Sequence, residues 1–266
     1  MTIPRILHYP GSKWSMADWI ISYFPDHETY LEPFFGSGAV LFTKPRSQLE
    51  TVNDIDGEIV NLFRVIRERP DELAHAIRFT PHSRQEYYSS YESAADDLER
   101  ARQLVVRLWQ GRGGKTSHRT GWRSMIECNG PLPGKEWLKF PEKIAAVSDR
   151  LMGVQIECQP AVDLIKRYSR RNVLIYADPP YVHSTRTTTS YRCEMSDDDH
   201  EELLQVLNNH PGPVILSGYD NPMYEDMLGS WNKFTKQAKA EAGARRTETL
   251  WINPVAAHGF YQESLF

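Results

Sequence analysis

The feature of this sequence that most constrains its fold is an alternation of short apolar runs with helical patterns, interrupted once by a long stretch of different character. Short runs that favour a β-strand lie at residues 30–31, 49–52, 154–157, 173–177 and 214–217. Helical patterns separate these runs, and strands that alternate with helices predict an α/β domain with a mostly parallel sheet. Near the end of the chain, residues 231–235 and 247–252 predict an antiparallel hairpin.

The interruption covers residues 71–152, after a helical pattern over 57–69 that is expected to stop at Pro70. Its own helical patterns and a glycine-rich, basic stretch lie at 84–91, 94–110, 111–134 and 141–151. We therefore predict one α/β domain formed by residues 1–70 and 153–266, with residues 71–152 inserted as a helical and loop-rich subdomain. A chain of 266 residues is long enough for one large hydrophobic core and a smaller subdomain.

The composition excludes several classes of protein. With 40% hydrophobic and 25% charged residues, it is that of an ordinary globular protein. The sequence contains no apolar run near the ~18 residues of a membrane span and no signal peptide at its start, so a cytoplasmic location is the default expectation. The three cysteines form no CxxC pair and the nine histidines show no metal-ligand spacing. We therefore predict no metal site and no disulfide framework.

The net charge of −4 hides a local asymmetry. Between Arg100 and Arg123 the chain carries seven lysines and arginines, and the next acid is Glu127. A basic segment inside an acidic protein can form a phosphate-binding face. For the arginines in the helical part of this segment, the solvated face of a helix is the simpler interpretation. These arginines are Arg100, Arg102 and Arg107.

The first segment that indicates chemistry follows the strand at 30–31. It reads Glu32-Pro33-Phe34-Phe35-Gly36-Ser37-Gly38, and an apolar helical pattern follows it. Glycines after a strand let the backbone turn tightly and approach a ligand closely. The next strand ends at Asp54, whose carboxylate could accept hydrogen bonds from ribose hydroxyls, or could cap the following helix.

The second and more specific segment is Asp178-Pro179-Pro180-Tyr181, directly after the apolar run 173–177. The two prolines make a rigid extended turn that leaves carbonyl acceptors at fixed positions. An amine conjugated with an aromatic ring is a poor nucleophile, and a carboxylate and a carbonyl that each accept one of its N–H groups can orient it. Tyr181 supplies a flat face for stacking a base. This combination favours the chemical interpretation over a structural loop.

Together these segments resemble the Dam-type, D12-class adenine-N6 DNA methyltransferases, the alpha group of amino-methyltransferases. The resemblance covers nearly the whole chain and includes the order of the parts: cofactor motifs, target-recognition insert, catalytic motif. It implies a Rossmann-like methyltransferase sheet, S-adenosylmethionine as cofactor and double-stranded DNA as partner. It also implies that residues 1–70 and 153–266 form the catalytic domain, and that residues 71–152 are the target-recognition subdomain.

The resemblance also implies roles for individual residues. The cofactor-binding residues are Tyr9, Lys13, Glu32, Pro33, Phe34, Gly36, Ser37, Gly38, Asp54, Asp163 and Asp178. The catalytic residues are Asp178, Pro179, Pro180 and Tyr181. The target adenine leaves the duplex, its N6 lies between the Asp178 carboxylate and the Pro179 carbonyl, and its ring stacks on Tyr181. The methyl group then passes directly to nitrogen, without a covalent enzyme intermediate or a metal.

The insert departs from the GATC-methylating members of the family, whose hairpin sequence it lacks, so the recognition sequence is not assumed to be GATC. The residues expected to contact DNA are Arg112, Lys115, His118, Arg119, Trp122, Arg123 and Asn129. Arginine and lysine can read guanine and asparagine can read adenine. For any one of these residues, however, a phosphate contact or an exposed position is more common than base readout.

Two other functions remain open at this point. One is an amino-methyltransferase with another acceptor: cytosine N4, RNA adenine or a protein amide. The other is a catalytically silent DNA-binding protein on the same scaffold, against which the intact Lys13, Asp54, Asp178 and Tyr181 argue. A cognate restriction endonuclease is compatible with the family and not required by it.

One acidic cluster is given no functional role. Residues 197–200 read Asp-Asp-Asp-His, but Ser196 before them is a typical helix cap, and acids suit the first turn of a helix. We therefore predict a helix start here and no metal site.

Overall fold

The computed structural model describes residues 3–128, 130–182, 189–239 and 245–257. The chain divides into two compact units. The helical unit comprises Met1–Ser12, Asp56–Met152 and Ser190–Arg192, and the sheet unit comprises Lys13–Ile55, Gly153–Thr189 and Cys193–Phe266. The boundaries predicted from the sequence lie after residue 70 and after residue 152. This division, and the role of residues 71–152 as a target-recognition subdomain, stay predictions.

The sheet unit contains a seven-stranded sheet in the order β3-β2-β1-β4-β5-β7-β6. Its strands are β1 (Thr29–Glu32), β2 (Leu49–Asn53), β3 (Gln155–Glu157), β4 (Val173–Ala177), β5 (Val214–Gly218), β6 (Asn232–Lys239) and β7 (Arg245–Ile252). Strands β1 to β5 pair in parallel, whereas β7 pairs antiparallel with both β5 and β6. The predicted mostly parallel, Rossmann-like sheet and the predicted hairpin are both confirmed.

The described helices are divided between the two units. In chain order they are α1 (Ala17–Ile21), α2 (Ala39–Thr43), α3 (Gly57–Glu68), α4 (Pro70–Arg78), α5 (Arg84–Ser89), α6 (Asp97–Gln110), α7 (Pro133–Leu138), α8 (Pro141–Leu151), α9 (Ala161–Arg167), α10 (Asp197–Asn208) and α11 (Pro222–Met227). Helices α1, α2, α9, α10 and α11 belong to the sheet unit, and the others to the helical unit. Within the described ranges, no helix is long and apolar enough to cross a membrane.

The core of the sheet unit explains why its central strands are continuous apolar runs. Every residue of β4 and of β5 is buried. Leu31, Ile175 and Leu216, from three neighbouring strands, lie in one apolar cluster with Leu203 and Leu207 of α10. A parallel strand that is covered on both faces needs apolar side chains on both sides, rather than an alternation of apolar and polar residues.

Prolines account for the helices that the sequence patterns missed. Helices α4, α7 and α11 each begin with a proline at the first or second position. Pro70 was expected only to end the preceding helix, but it also opens α4. Proline suits this position, because its fixed φ is already helical and the first N–H groups of a helix have no intrahelical partner. At Ser196 the predicted helix start is confirmed, with a complete capping box to Asp199.

The interpretation of three α6 arginines as a solvated helix face is wrong. Arg100 and Arg107 both pair with Glu58 of α3, at 2.5 and 3.6 Å. Arg102 pairs with Glu86 of α5 at 2.5 Å. The side chains of Arg102 and Arg107 are only 17% and 14% exposed. These arginines join helices of the helical unit, since carboxylates on α3 and α5 face them.

Candidate active site

Three segments come together at the carboxyl ends of neighbouring strands in the sheet unit. The loop 33–38 follows β1, Asp54 follows β2, and Asp178 follows β4. Strand β1 lies between β2 and β4 in the sheet. The chain continues from β1 to β2 on one side of the sheet and from β4 to β5 on the other side, so the strand order reverses between β1 and β4. In open α/β sheets, ligands bind at such a switch point, outside the carboxyl ends of the strands.

The loop after β1 has a conformation that requires glycine. Gly36 and Gly38 have φ angles of +49° and +68°, in the left-handed region. A Cβ atom on Gly38 would lie 2.4 Å from a ring carbon of Phe42 and 2.6 Å from one of Phe35. The two aromatic rings therefore pack directly against the backbone where the chain turns into α2.

Asp54 and Asn53 hold this loop from the end of β2. The Gly36 N–H donates a hydrogen bond of 2.8 Å to Asp54 Oδ2. The Asn53 amide donates to the Pro33 carbonyl at 2.9 Å and to the Gln159 carbonyl at 3.0 Å. Helix α3 is capped by Asp56 and not by Asp54. The alternative prediction that Asp54 caps this helix is therefore wrong.

Glu32 is a buried carboxyl group at the start of the same loop. It is 2% exposed and its Oε2 accepts a hydrogen bond of 2.8 Å from the Tyr30 hydroxyl. Burial raises the pKa of Glu32 to about 8. The Tyr30 hydrogen bond lowers the pKa and the charge of Asp178 raises it, both to a smaller extent than burial. Glu32 therefore contributes a proton-binding group to this edge of the sheet near neutral pH.

The tetrapeptide Asp178–Tyr181 is joined to Lys13 by a chain of polar contacts. Lys13 Nζ lies 2.9 Å from Asp178 Oδ1 and donates to the Tyr181 hydroxyl at 2.5 Å. That hydroxyl donates to Glu248 Oε2 at 2.7 Å, and Lys13 Nζ lies 3.8 Å from the same oxygen. We refer to Lys13, Asp178, Tyr181 and Glu248 as the Lys13 cluster.

The Lys13 cluster is shielded from solvent and has more carboxylates than cations. The side chains of Lys13, Asp178 and Glu248 are 6%, 18% and 14% exposed. Burial raises the pKa of Asp178 to about 6, the Lys13 ammonium opposes this rise, and Glu248 adds to it. The Tyr181 ring is buried with its centroid 4.1 Å from that of Tyr219. Tyr219 therefore already packs against the ring expected to stack on a base.

The other residues expected to bind the cofactor are distributed less tightly. Ser37 is buried in the loop after β1, and Phe34 packs against the apolar core of the sheet unit. Asp163 lies in the first turn of α9 with an exposed side chain. Tyr9 belongs to the helical unit, where its ring centroid lies 5.9 Å from that of Tyr191. Their roles stay predictions.

The described residues that are expected to contact DNA lie in the helical unit. Asn129, which is also expected to contact DNA, lies outside the described residues. Arg112, His118 and Arg119 are exposed. The Arg119 guanidinium lies 5.0 Å from the ring centroid of Tyr88. Arg123 pairs with a carboxylate instead, at 3.4 Å from Glu136.

The remaining two, Lys115 and Trp122, are half-buried. The Trp122 indole N–H donates to Gln110 Oε1 at 3.4 Å, and its ring lies under the Arg84 guanidinium at 5.1 Å. Trp122 therefore anchors the basic loop to the end of α6.

The sequence patterns did not identify two neighbours of Tyr181. Glu248 lies on β7 and Tyr219 directly follows β5, at 67 and 38 residues from Tyr181. Neither belongs to a recognisable local motif. The sequence signal at Glu248 is an acid two residues before the apolar residues 250–252 of the predicted hairpin.

The raised pKa of Glu32 predicts how stability depends on pH. The folded chain binds the Glu32 proton more tightly than the unfolded chain. The stability gained from it is therefore fully present below pH 4.5 and is lost as the pH rises toward 8. We expect the Glu32 contribution to the free energy of unfolding to fall by roughly 1.4 kcal/mol per pH unit in this window. Glu32→Gln, which stays uncharged, should remove this decline.

Urea unfolding of the wild type and of Glu32→Gln at several pH values tests this expectation. The difference between the two curves should favour the variant increasingly as the pH rises. Glu201→Gln, at an exposed position of α10, is the matched control and should follow the wild type. Parallel curves for the wild type and Glu32→Gln would mean that Glu32 ionises as easily in the folded chain as in the unfolded chain.

Comparison with known proteins agrees with these motifs. The sequence model of the D12 class N6 adenine-specific DNA methyltransferase family matches residues 9–242. DNA adenine methylase of Salmonella typhi is 26% identical over 228 residues, which cover 82% of this chain and 81% of that protein. The corresponding protein of Escherichia coli (strain K12) is 26% identical over 225 residues, or 80% of each chain.

A type II methyltransferase, M1.LlaDCHI of Lactococcus lactis subsp. cremoris, is 26% identical over 258 residues, which cover 89% of this chain and 88% of that protein. The family resemblance carried by the motifs is thereby confirmed, and the match extends over both compact units. The chain belongs to the D12 class of N6 adenine-specific DNA methyltransferases and is an adenine-specific DNA methyltransferase.

Proposed function

We propose that this enzyme transfers a methyl group from S-adenosylmethionine to N6 of an adenine that has left the double helix of DNA. The observation that carries the proposal is the ion pair between Lys13 and Asp178 at the end of β4. It holds a partly buried carboxylate beside the glycine loop, at the switch point of the sheet. A restriction endonuclease partner is not required.

The side chains at this edge of the sheet suit S-adenosylmethionine, which is cationic at its sulfonium and amino groups. Asp178 and Glu248 place two carboxyl groups around the ammonium of Lys13. This excess of carboxyl groups favours a cationic ligand. Asp54 follows the second strand, where a carboxylate can accept hydrogen bonds from ribose hydroxyls. Its carboxylate can accept several hydrogen bonds in addition to that from Gly36.

The tetrapeptide would orient the accepting amine. S-adenosylmethionine supplies an electrophilic methyl group when it is bound. The Asp178 carboxylate and the Pro179 carbonyl each accept one N–H of adenine N6, which directs the nitrogen lone pair toward that methyl group. With a pKa of about 6, Asp178 is mostly ionised at pH 7. Its negative charge stabilises the positive charge that develops on N6 as the new N–C bond forms and the bond from the methyl carbon to the sulfonium sulfur breaks, with its electron pair left on sulfur.

The same carboxylate is a suitable proton acceptor. N6 must lose one proton when it gains a methyl group, and Asp178 is hydrogen-bonded to that proton in this proposal. The rate advantage comes mainly from holding the two reacting atoms in line and from a fixed negative charge near the nitrogen. Lys13 keeps the carboxylate in place and favours its ionised form, because an ammonium nearby lowers a carboxyl pKa.

The helical unit would bind the DNA backbone. Its exposed Arg112, His118 and Arg119 lie in one irregular segment between α6 and α7. Arginine side chains that contact phosphates hold a protein in register on the duplex. Extruding one base costs a few kcal/mol, which such contacts offset.

The role of Asp178 predicts a loss of transfer without a loss of fold. We expect Asp178→Asn to lower the single-turnover rate of methyl transfer to DNA by about a hundredfold or more, because the amide carries no charge to stabilise N6. Binding of S-adenosylmethionine should be retained or weakened, and calorimetry measures it separately. Asp226→Asn, at an exposed position of α11, is the matched control. Full activity of Asp178→Asn would remove Asp178 from the mechanism.

The proposed DNA face predicts a change in salt dependence. We expect Arg119→Glu to weaken DNA binding and to make the slope of log affinity against log salt shallower by about one. Arg119 is preferred to Arg123, whose reversal would also break the pair with Glu136. The control is Arg171→Glu. This exposed arginine lies just before β4, at the amino-terminal ends of the parallel strands, whereas the candidate site lies at their carboxyl ends. An unchanged affinity and slope for Arg119→Glu would locate the DNA face elsewhere.

A further inference from the structure

Glu248 makes contacts that the edge hairpin itself does not require. It lies on β7 opposite Lys236 of β6. Among the hairpin residues that precede Glu248 and whose side chains are described, most are exposed. Its side chain, however, is only 14% exposed. Its carboxylate accepts a hydrogen bond from the catalytic tetrapeptide at 2.7 Å and lies 3.8 Å from Lys13 Nζ.

We propose that Glu248 is a positioning residue for methyl transfer: it fixes the Tyr181 hydroxyl so that this hydroxyl accepts from Lys13, and it shares the Lys13 ammonium with Asp178. This inference rests on the proposed function, since it assigns a role within the same site. Glu248 itself touches neither reacting atom in this account.

The direction of the hydrogen bonds follows from the donors available. A lysine ammonium can only donate, so the Tyr181 hydroxyl must accept from Lys13. The single proton of that hydroxyl must then go to another acceptor. Glu248 Oε2 takes it at 2.7 Å. The chain therefore runs from Lys13 through Tyr181 to Glu248, and each bond fixes the polarity of the next.

The same contacts divide one positive charge between two carboxylates. Lys13 Nζ is nearer to Asp178, at 2.9 Å, than to Glu248, at 3.8 Å. An ammonium held by Asp178 alone would neutralise that carboxylate more completely. With Glu248 present, the cluster keeps a net negative charge beside the tetrapeptide. A net negative charge there favours both a sulfonium ligand and a nitrogen that becomes positive.

The titrating groups around this site act on Asp178 from several elements. Among the described residues, the charged and titratable groups that interact with Asp178 or stand opposite Glu248 include, besides Lys13 and Tyr181, Glu32 of β1, Tyr176 of β4, Tyr224 of α11 and Lys236 of β6. The charge of Glu248 raises the pKa of Asp178. Replacing Glu248 by an uncharged side chain should therefore lower that pKa, which a purely structural contact would not do.

Glu248→Gln is the decisive variant, because glutamine keeps the shape and one acceptor oxygen but removes the charge. We expect its single-turnover rate of methyl transfer to unmethylated genomic DNA to fall about tenfold at neutral pH, with little change in the KM for DNA. The acidic limb of its pH–rate profile should move to lower pH. Glu201→Gln, which removes the same charge from an exposed site, should match the wild type in both measurements.

A double-mutant cycle tests the hydrogen bond without using activity. Glu248→Ala, which removes the acceptor, and Tyr181→Phe should each destabilise the chain, and the double variant should lose less stability than the sum of the two. Additive losses in the free energy of unfolding would contradict the contact. If Glu248→Gln does not fold, Glu248→Ala removes the same charge, and its acidic limb should also move to lower pH; an unmoved limb would contradict the electrostatic role.

The kinetic results separate this inference from the function on which it rests. A wild-type rate and an unmoved acidic limb for Glu248→Gln would overturn the positioning role while the wild type remains active. If the wild type and Glu201→Gln both transfer no methyl group to DNA, the proposed function fails, and the role of Glu248 in it fails too.

Discussion

The buried ammonium of Lys13 is the charge on which the candidate site depends. Removing an ammonium from water costs several kcal/mol, which only well-placed acceptors offset. Here the acceptors are Asp178, the Tyr181 hydroxyl and Glu248. These residues reach Lys13 from the end of β4 and from β7, so the ammonium fixes their relative positions. The loss of one acceptor would leave a buried charge partly uncompensated, which would disturb the other two.

The topology of the sheet makes this arrangement possible. Lys13 and Tyr181 are 168 residues apart in sequence. Parallel strands place the segments that follow β1, β2 and β4 along one edge, and the direction of the connections changes between β1 and β4. At the same edge, the positive φ angles of Gly36 and Gly38 bring the backbone close to Asp54. The fold thus brings the Asp54 carboxylate and the Lys13 cluster to the same ends of the parallel strands.

Much of this arrangement could be predicted from the sequence, because the informative residues directly follow apolar runs. Asp54 and Asp178 each stand within one residue of a strand end, and strand ends of parallel sheets meet. Glu248 could not be found in this way, since its partner Tyr181 is 67 residues distant and the strand pairing that joins them has no local signal. The ion pair between Arg107 and Glu58 was missed for the same reason, because helical periodicity does not specify which helix faces Arg107.

The most direct test of the account is to incubate the protein with labelled S-adenosylmethionine and unmethylated genomic DNA, and to map the modified bases by modification-sensitive sequencing. We expect N6-methyladenine within one short sequence motif. Label in cytosine, RNA or protein would contradict the proposed acceptor and keep the transfer chemistry. Binding of the cofactor without label in any acceptor would contradict the claim that this protein transfers a methyl group to DNA. The result would favour a catalytically silent DNA-binding protein on a methyltransferase scaffold.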